Sequence, residues 1–588
     1  MIGLAGFLAS SFKEMEKIRF EHITKIFGSV VANHDISFSI EKGEVISILG
    51  ENGSGKTTLL NVLDGIYQQD EGKLFIDGEE VNINSPKDAF AHGIGMVHQH
   101  FKLVDVLTAT ENIVLGLSKK EQKRIYDQLG LFEGKPKFDI KESRETIEKM
   151  CSKYGFNLDL NKHVFDMSVS EKQTLEIIKI LYRGVDTLVL DEPTAVLTPQ
   201  EIKHLFDIIR NMKKDGKTVI IITHKLNEVM EISDRVVVLR KGEFIEMVET
   251  KKCTEAKLAE LMVGKRIDLD IHRSDIPNSG VRLQIQGLSA KNVEGRQILK
   301  DISFDVYGSE ILGIAGISGS GQKELLETIA GLNKETEGSI IFHNPKKNKP
   351  VTFYHKNIKQ VRELAKENKF YFKDGTPCNL EKISNKEISK LVKDEEIIFY
   401  EDEIIDLKDK KPIEIRDLGI KLSFVPEDRL GMGLVGSMDI VDNMMLKSYR
   451  KGRGGFFHRE KPKSLAEDII KELDIKTPSL NTQVSKLSGG NIQKVLVGRE
   501  ISSRPKVLMA AYPVRGLDIN SSYLIYKLLD DQKKLGTAVI FVGEDLDVLL
   551  GLCDRLLVLS NGRITGIVDP RVTQKEEVGL LMTKGHEA

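Results

Sequence analysis

Eight consecutive residues, Gly50-Glu51-Asn52-Gly53-Ser54-Gly55-Lys56-Thr57, have the types and spacing that wrap a row of phosphates. Gly50, Gly53 and Gly55 let the backbone turn tightly, so that loop amides and a helix N-terminus face an anion. Lys56 is the cation for the β- and γ-phosphates, Thr57 offers a hydroxyl to Mg²⁺, and Thr58 lies directly behind it. Far downstream, an apolar run ends in Asp191-Glu192. Asp191 is placed to serve a metal shell and Glu192 to polarise an attacking water, the two acidic tasks of phosphoryl transfer. A second apolar run, Val219-Ile220-Ile221-Ile222-Thr223, ends in His224. Its place after the acidic strand makes it a third member of the same chemistry.

These residues need elements that hold them. The glycine loop follows a strand-like run, Glu44–Leu49, and opens a helical run, Thr57–Leu63. Thr187–Leu190 and Val219–Thr223 also read as buried strands, and helical stretches separate them. Such alternation predicts an α/β core with a mostly parallel sheet.

The same organisation occurs twice. Ile36-Ser37-Phe38-Ser39-Ile40 reappears as Ile302-Ser303-Phe304-Asp305-Val306, and Gly50-x-x-Gly53-Ser54-Gly55 as Gly316-x-x-Gly319-Ser320-Gly321. Ser168 pairs with Ser488, Pro193 with Pro513, and Asp234-Arg235 with Asp554-Arg555. Repeats of this length are domains. We place a tail at 1–17, a first domain at 18–250, a linker at 251–280 and a second domain at 281–588. The wider spacing in the second copy locates a Lys-rich insertion at about 343–411, read as a solvated appendage or, alternatively, a docking surface.

Composition narrows the classes. The chain has 588 residues, 40% hydrophobic and 30% charged, as globular domains do. Its 86 basic residues against 88 acidic ones give no support for direct nucleic-acid binding. Cys151, Cys253, Cys378 and Cys553 are too scattered for a zinc pair or a disulfide framework. No apolar run of 18 residues occurs, so any transport across a membrane needs a partner's helices. Met1–Phe12 is apolar but short and lacks a basic start, a poor signal peptide. Met15 is a possible true start.

Taken in order, these residues resemble the ATP-binding-cassette family over nearly the whole chain. The resemblance implies α/β P-loop ATPase domains in tandem, each with a mostly parallel core sheet, a helical subdomain and an antiparallel β subdomain. It implies ATP and Mg²⁺ as ligands. Phe27 in Lys25-Ile26-Phe27-Gly28 matches the aromatic that stacks on adenine. Gln99 in Val97-His98-Gln99 matches the glutamine loop that reaches the metal, and His224 the histidine switch. Leu487-Ser488-Gly489-Gly490 matches the family signature, whose Ser488, Gly489 and Gly490 face a γ-phosphate. Three stretches, Thr194–Glu201, Val425–Arg429 and Leu261–Lys265, are similar to tandem ATPases of bacterial importers for nucleosides and simple sugars such as ribose and galactose. Thr194–Glu201 and Glu111–Gly116 lean toward the nucleoside branch. The partners implied are transmembrane permease subunits and an extracytoplasmic solute-binding lipoprotein. The location implied is the cytoplasmic face of the membrane, peripheral, through the permease.

The second copy departs from the chemical pattern. Gln322-Lys323 replaces Lys56-Thr57, Ala511-Tyr512 replaces Asp191-Glu192, Glu544 replaces His224 and Glu427 replaces Gln99. The first copy, in turn, has Met167-Ser168-Val169-Ser170 where the second has the signature. Since the family packs its cassettes head to tail, the resemblance implies one composite catalytic site that joins the first loop to the second signature. The competing class is a soluble tandem ATPase acting on ribosomes or DNA. Those relatives usually keep both acidic pairs, and the DNA-repair type carries zinc cysteines. The family also implies permease grooves at His100–Gly116 and Arg429–Met445. Phe101, Leu103, Val104, Val106 and Leu107 are the apolar side chains expected on the first, and Leu430, Met432, Leu434 and Val435 on the second.

Overall fold

The computed structural model describes residues 16–98, 101–117, 140–195, 197–266, 270–277, 279–292, 295–317, 319–345, 358–367, 370–372, 377–380, 383–394, 396–399, 402–424, 433–446, 459–501, 505–515 and 517–584. Two compact units divide the chain: Met1–Asp270 with Gly516–Tyr523, and Ile271–Arg515 with Leu524–Ala588.

In the first unit, β1 (Glu16–Phe27), β2 (Val30–Glu41), β4 (Glu71–Ile76) and β5 (Glu79–Val81) form an antiparallel sheet in the order β2-β1-β4-β5. The central sheet is built from β3 (Val45–Leu49), β6 (Ile94–Val97), β7 (Thr187–Asp191), β8 (Thr218–Thr223), β9 (Arg235–Arg240) and β10 (Glu243–Glu249). Its order is β10-β9-β3-β8-β7-β6, parallel except where β10 turns back on β9. All five residues of β3 are buried, as expected of a strand covered on both faces. Ile46 and Ile48 join the core shared with β1, β2 and the helix Lys56–Leu63, while Val45 joins the core under the helices Ile140–Tyr154 and Val169–Tyr182. Alternation along the strand therefore serves two cores from one element.

The second unit repeats this plan. An antiparallel sheet contains β11 (Val281–Lys291), β12 (Gln297–Tyr307), β14 (Glu335–Pro345) and β18 (Asp402–Asp406) in the order β12-β11-β14-β18. The central sheet is made of β13 (Glu310–Ala315), β19 (Ile420–Phe424), β20 (Val507–Ala511), β21 (Ala538–Val542), β22 (Arg555–Ser560) and β23 (Arg563–Val568), in the order β19-β20-β21-β13-β22-β23. The fold class expected from the sequence is therefore the observed one.

Matched ion pairs extend the repeat to side chains. Arg235 grips Glu44 through Nε at 2.8 Å and Nη2 at 2.6 Å. Arg555 grips Glu310 through Nε at 2.5 Å and Nη2 at 3.2 Å. Asp234 accepts from Val45 N and Asp554 from Ile311 N, both at 2.9 Å. Each pair ties the start of a loop-bearing strand to the strand beside it.

The linker and the Lys-rich insertion both contain regular structure. Residues 251–280 include the helix Glu255–Val263, which buries Leu258, Ala259 and Met262. The insertion contains the helices Ile358–Glu367 and Asn385–Lys393 and a sheet of β15 (Phe370–Phe372), β16 (Pro377–Cys378) and β17 (Ile397–Phe399). Val361, Phe370, Cys378, Leu380, Ile388 and Ile397 pack into a core of its own. Lysines conceal this in a compositional reading, because they solvate the outside of the unit that the apolar residues hold together. Among the described residues no helix is long and apolar enough to cross a membrane.

Candidate functional site

The glycine loop of the first unit leaves β3 and enters the helix Lys56–Leu63, which buries Leu59, Leu60 and Leu63 and so anchors the loop from below. Gly53 (φ 79°) and Gly55 (φ 94°) adopt left-handed conformations that favour glycine. Gly50 has no room for a side chain, since a Cβ would run into Leu239 O and Ser54 Oγ. Backbone is thus brought to the surface of the loop by necessity. Gly242 N donates to Ser54 O at 3.2 Å and supports the turn. The Ser54 hydroxyl is buried with no hydrogen-bond partner, and Asn52, Gly53 and Thr57 are exposed. A loop with an orphan hydroxyl and an exposed threonine fits an incoming phosphate and its metal.

Lys56 is buried and donates from Nζ to Gly50 O at 2.8 Å and Glu51 O at 2.9 Å, so its ammonium lies over the loop. Burial lowers its pKa, while Glu192, Asp191 and Glu51 act in the opposite sense. Burial pushes Glu51 up. These carboxylates are close enough to Lys56 to act on it electrostatically, so the folded unit gathers groups that are about 140 residues apart.

Asp191 ends β7, and burial followed by the neighbouring Glu192 charge pushes it up to about 6. Glu192 turns out of the strand with φ 47° and donates its N–H to Ile222 O at 2.9 Å. His224 follows β8, with Nδ1 3.0 Å from Glu192 Oε1. This hydrogen bond is the largest cause of the lowered Glu192 pKa. The contact favours the ionised carboxylate and fixes its orientation. Since β8 lies between β3 and β7, one strand carries the histidine between the phosphate loop and the acids.

A polar knot behind these residues was not legible in the motifs. Thr194 Oγ1 donates to Glu228 Oε2 at 2.6 Å, and Lys225 Nζ lies 3.0 Å from Glu228 Oε1 and 3.3 Å from Thr194 O. It ties the turn after Glu192 to the turn after His224. At the matching second-copy positions stand Val514 and Val548, so a position-by-position comparison of the copies carried the signal.

Phe27 lies at the end of β1, 41% exposed, with Tyr67 edge-on at 5.1 Å between centroids and Lys25 Nζ 5.3 Å from its ring centroid. An exposed aromatic face suits stacking on a base. Gln99 lies outside the described residues, as do Glu427, Leu430 and Met432.

The second unit keeps the backbone of the site and loses its chemistry. Gly319 (φ 85°) and Gly321 (φ 105°) repeat the loop, and Tyr512 (φ 51°) repeats the turn of Glu192, donating its N–H to Val542 O at 2.9 Å. Gln322 bends its amide onto Ile317 O at 3.3 Å, an uncharged copy of the Lys56 contact. Arg515 lies 3.4 Å from Glu544, where the first unit has its histidine. Burial raises the Tyr512 pKa, so this phenol is no base near neutrality.

The two signature regions also differ. In the first unit Ser168 caps the helix Val169–Tyr182 in a capping box, with Glu171 Oε2 accepting from Ser168 N at 2.7 Å. That carboxylate meets the positive helix end, where an anion would otherwise bind. In the second unit the helix Gly489–Ile501 begins on the signature glycines, and the matching residue is Asn491, whose Nδ2 donates to Ser488 Oγ at 2.9 Å. Ser488, Gly489 and Gly490 thus stand at a helix N-terminus with a neutral residue at the Glu171 position, and Gly490 has open space where a Cβ would point.

The apolar side chains expected on the two partner grooves differ in exposure. Val104 and Val106 are exposed, with Phe165 exposed beside them through Phe165 N to Asp105 O at 3.1 Å. Leu103 packs partly buried against the helical core. Leu434 is buried, contrary to expectation. The fully buried Asn443 side chain bonds Val435 N and O beside it, as Asn112 bonds Val104 N and O in the first unit.

A phosphate-wrapping loop, an acidic pair and a histidine on three neighbouring parallel strands define a P-loop nucleoside-triphosphatase, here duplicated, with Gln322, Tyr512 and Glu544 at the matching places of the second copy. The ABC transporter model matches residues 33–195 and 299–513, and the chain belongs to that family, whose cassettes bind and hydrolyse ATP. It is 36% identical over 567 residues to the nucleoside import ATP-binding protein NupA of Lactococcus lactis, spanning 96% of this chain and 97% of that protein. It is 37% identical to the guanosine import ATP-binding protein NupO of Bacillus subtilis, spanning 95% and 96%. It is 32% identical to the ribose import ATP-binding protein RbsA of Clostridium tetani, spanning 97% of each.

Proposed function

We propose that this chain is the ATP-hydrolysing subunit of a membrane importer, with nucleosides as the preferred solute class and simple sugars as the second. The observation that carries the catalytic part is the Glu192–His224 contact beside Lys56 in the first unit, with Tyr512 and Glu544 at the same places in the second. The full-length similarity to nucleoside and sugar import subunits supports the transport part.

In this reading Lys56 and the loop amides hold the β- and γ-phosphates, and Phe27 stacks on the adenine. Thr57 and Asp191 hold Mg²⁺, with Gln99 as a further ligand. The bound metal screens phosphate charge. Glu192 takes a proton from water, whose oxygen attacks the γ-phosphorus as the bond to the β-phosphate oxygen breaks. His224 holds the Glu192 carboxylate in place. Ser488, Gly489 and Gly490 serve a γ-phosphate through the N-terminus of their helix. The chain is peripheral at the cytoplasmic face, attached through permease subunits that receive solute from an extracytoplasmic binding lipoprotein. Val104, Val106 and Phe165 are the surface it offers them.

The test is uptake. Cells lacking this chain should lose ATP-dependent import of labelled nucleoside, and wild type but not the Glu192→Gln form should restore it. Restored sugar uptake with unchanged nucleoside uptake would assign the second solute class. A ribosome-bound or DNA-bound chain that leaves both solutes unaffected would overturn the reading.

A further inference from the structure

Beneath the phosphate loop of the first unit lies an asparagine that no step above uses. Asn33, on β2, is fully buried and donates from Nδ2 to Gly55 O at 3.1 Å. Gly55 is the left-handed residue that turns the loop into the helix Lys56–Leu63. The other polar atom of the side chain, Asn33 Oδ1, is buried without a partner. A buried amide oxygen with no hydrogen bond is destabilising, and an aliphatic side chain there would remove that cost and bury more apolar surface.

The second unit makes that replacement. His34 N donates to Gly242 O at 2.7 Å, and Lys300 N to Gly562 O at 2.8 Å; Gly242 N donates to Ser54 O at 3.2 Å, and Gly562 N to Ser320 O at 3.0 Å. This register places Leu299 at the position of Asn33. A Cβ added at Gly55 would meet Asn33 Nδ2 and Ala32 O; one added at Gly321 would meet Leu299 Cδ2 and Ile298 O. Backbone support of the two loops is therefore the same, and the side-chain brace differs. The polar brace occurs under the loop with Lys56. The leucine occurs under the loop with Gln322, where the acidic pair and histidine are also gone.

We propose that Asn33 is a positioning residue of the ATP site, holding the Gly55 carbonyl so that the amide of Lys56 points at phosphate. The physical link is the planar trans peptide: Gly55 C=O and Lys56 N–H share one plane and point in opposite directions, so fixing the oxygen from below aims the N–H above. The partnerless Oδ1 is the stability given up for that aim. This rests on the first loop being the hydrolysing ATP site, which wild-type ATPase activity tests separately.

The experiment uses the full chain and three variants, Asn33→Leu, Asn33→Ala and Leu299→Asn. ATPase kinetics give KM and kcat, and thermal melting without nucleotide gives Tm. Asn33→Leu should raise the KM for ATP about fivefold, the equivalent of one ordinary hydrogen bond, with a smaller effect on kcat and an equal or higher Tm. Asn33→Ala should raise KM likewise. Leu299→Asn should lower Tm and leave KM unchanged. An unchanged KM in both Asn33 variants overturns the proposal. So does a KM change seen only with a matching fall in Tm in both, because Asn33 would then be a packing residue. A wild-type chain without ATPase activity would refute the underlying reading instead.

Discussion

Glu192 and His224 form the unit of chemistry at the scale of single residues. In the proposed mechanism the carboxylate is the base; the imidazole bonds it and lowers its pKa. Glu192→Gln should retain ATP binding and slow hydrolysis at least roughly a hundredfold, the usual cost of losing a general base; near-normal turnover would remove Glu192 from the mechanism. His224→Ala should lower the rate and also move the pH profile. A base depressed by a hydrogen bond stays ionised further into acid, and activity falls as pH drops through its pKa. Without His224 that pKa rises, so the acid limb of the residual activity should shift to higher pH. An unmoved limb would mean that His224 acts on something other than Glu192. These residues were legible as types and order in the sequence. Their contact was not, because it depends on Glu192 taking a left-handed turn while its N–H binds the strand that carries the histidine.

At the scale of elements, one loop geometry serves two chemistries. Gly319 and Gly321 preserve the turn and the helix Gln322–Ile329 follows it, yet Gln322 supplies no charge. Gln322→Ala should leave ATPase activity largely intact, and loss of most of it would reveal a catalytic part for the second loop. The segment between β6 and the helix Ala109–Val114 offers the second element-level test. Val106 is 70% exposed and Phe165 59%, a small apolar patch of the kind that marks partner surfaces. Val106→Asp and Phe165→Asp should weaken co-purification with a permease and leave basal ATPase of the isolated chain in place. Retained assembly in both variants would move the docking site elsewhere, with the packed insertion as the next surface to mutate. Leu103 is a poor probe for this purpose, because its contact with the helical core makes loss of folding the expected result of a charge.

For the whole molecule, ligand binding is expected to appear as stability. A nucleotide that binds the folded chain and not the unfolded one adds about 2.7 kcal/mol at a hundred times its Kd. Mg²⁺ with ATP should therefore raise the melting temperature of the Glu192→Gln chain, where hydrolysis does not deplete the ligand. Chelating the metal should cut the rise, and Lys56→Ala should abolish most of it. A rise that is the same with and without Mg²⁺ would take Thr57 and Asp191 out of a metal site.

The sequence by itself determined the duplication, the phosphate loop, the order of acid pair and histidine, and the loss of these groups from the second copy. Each is a matter of residue type at fixed spacing along one chain, and the physics is local: glycine where the backbone must turn, a cation and a hydroxyl where phosphate and metal bind. Tertiary structure alone decided which side chains act on one another. Asn33 under Gly55, Glu228 between Thr194 and Lys225, and Asn443 on the backbone of Val435 are contacts across strands and turns, set by packing rather than spacing. The insertion shows the same division. Its lysines dominate the composition, while six buried side chains spread over 37 residues form the core that makes it a folded unit.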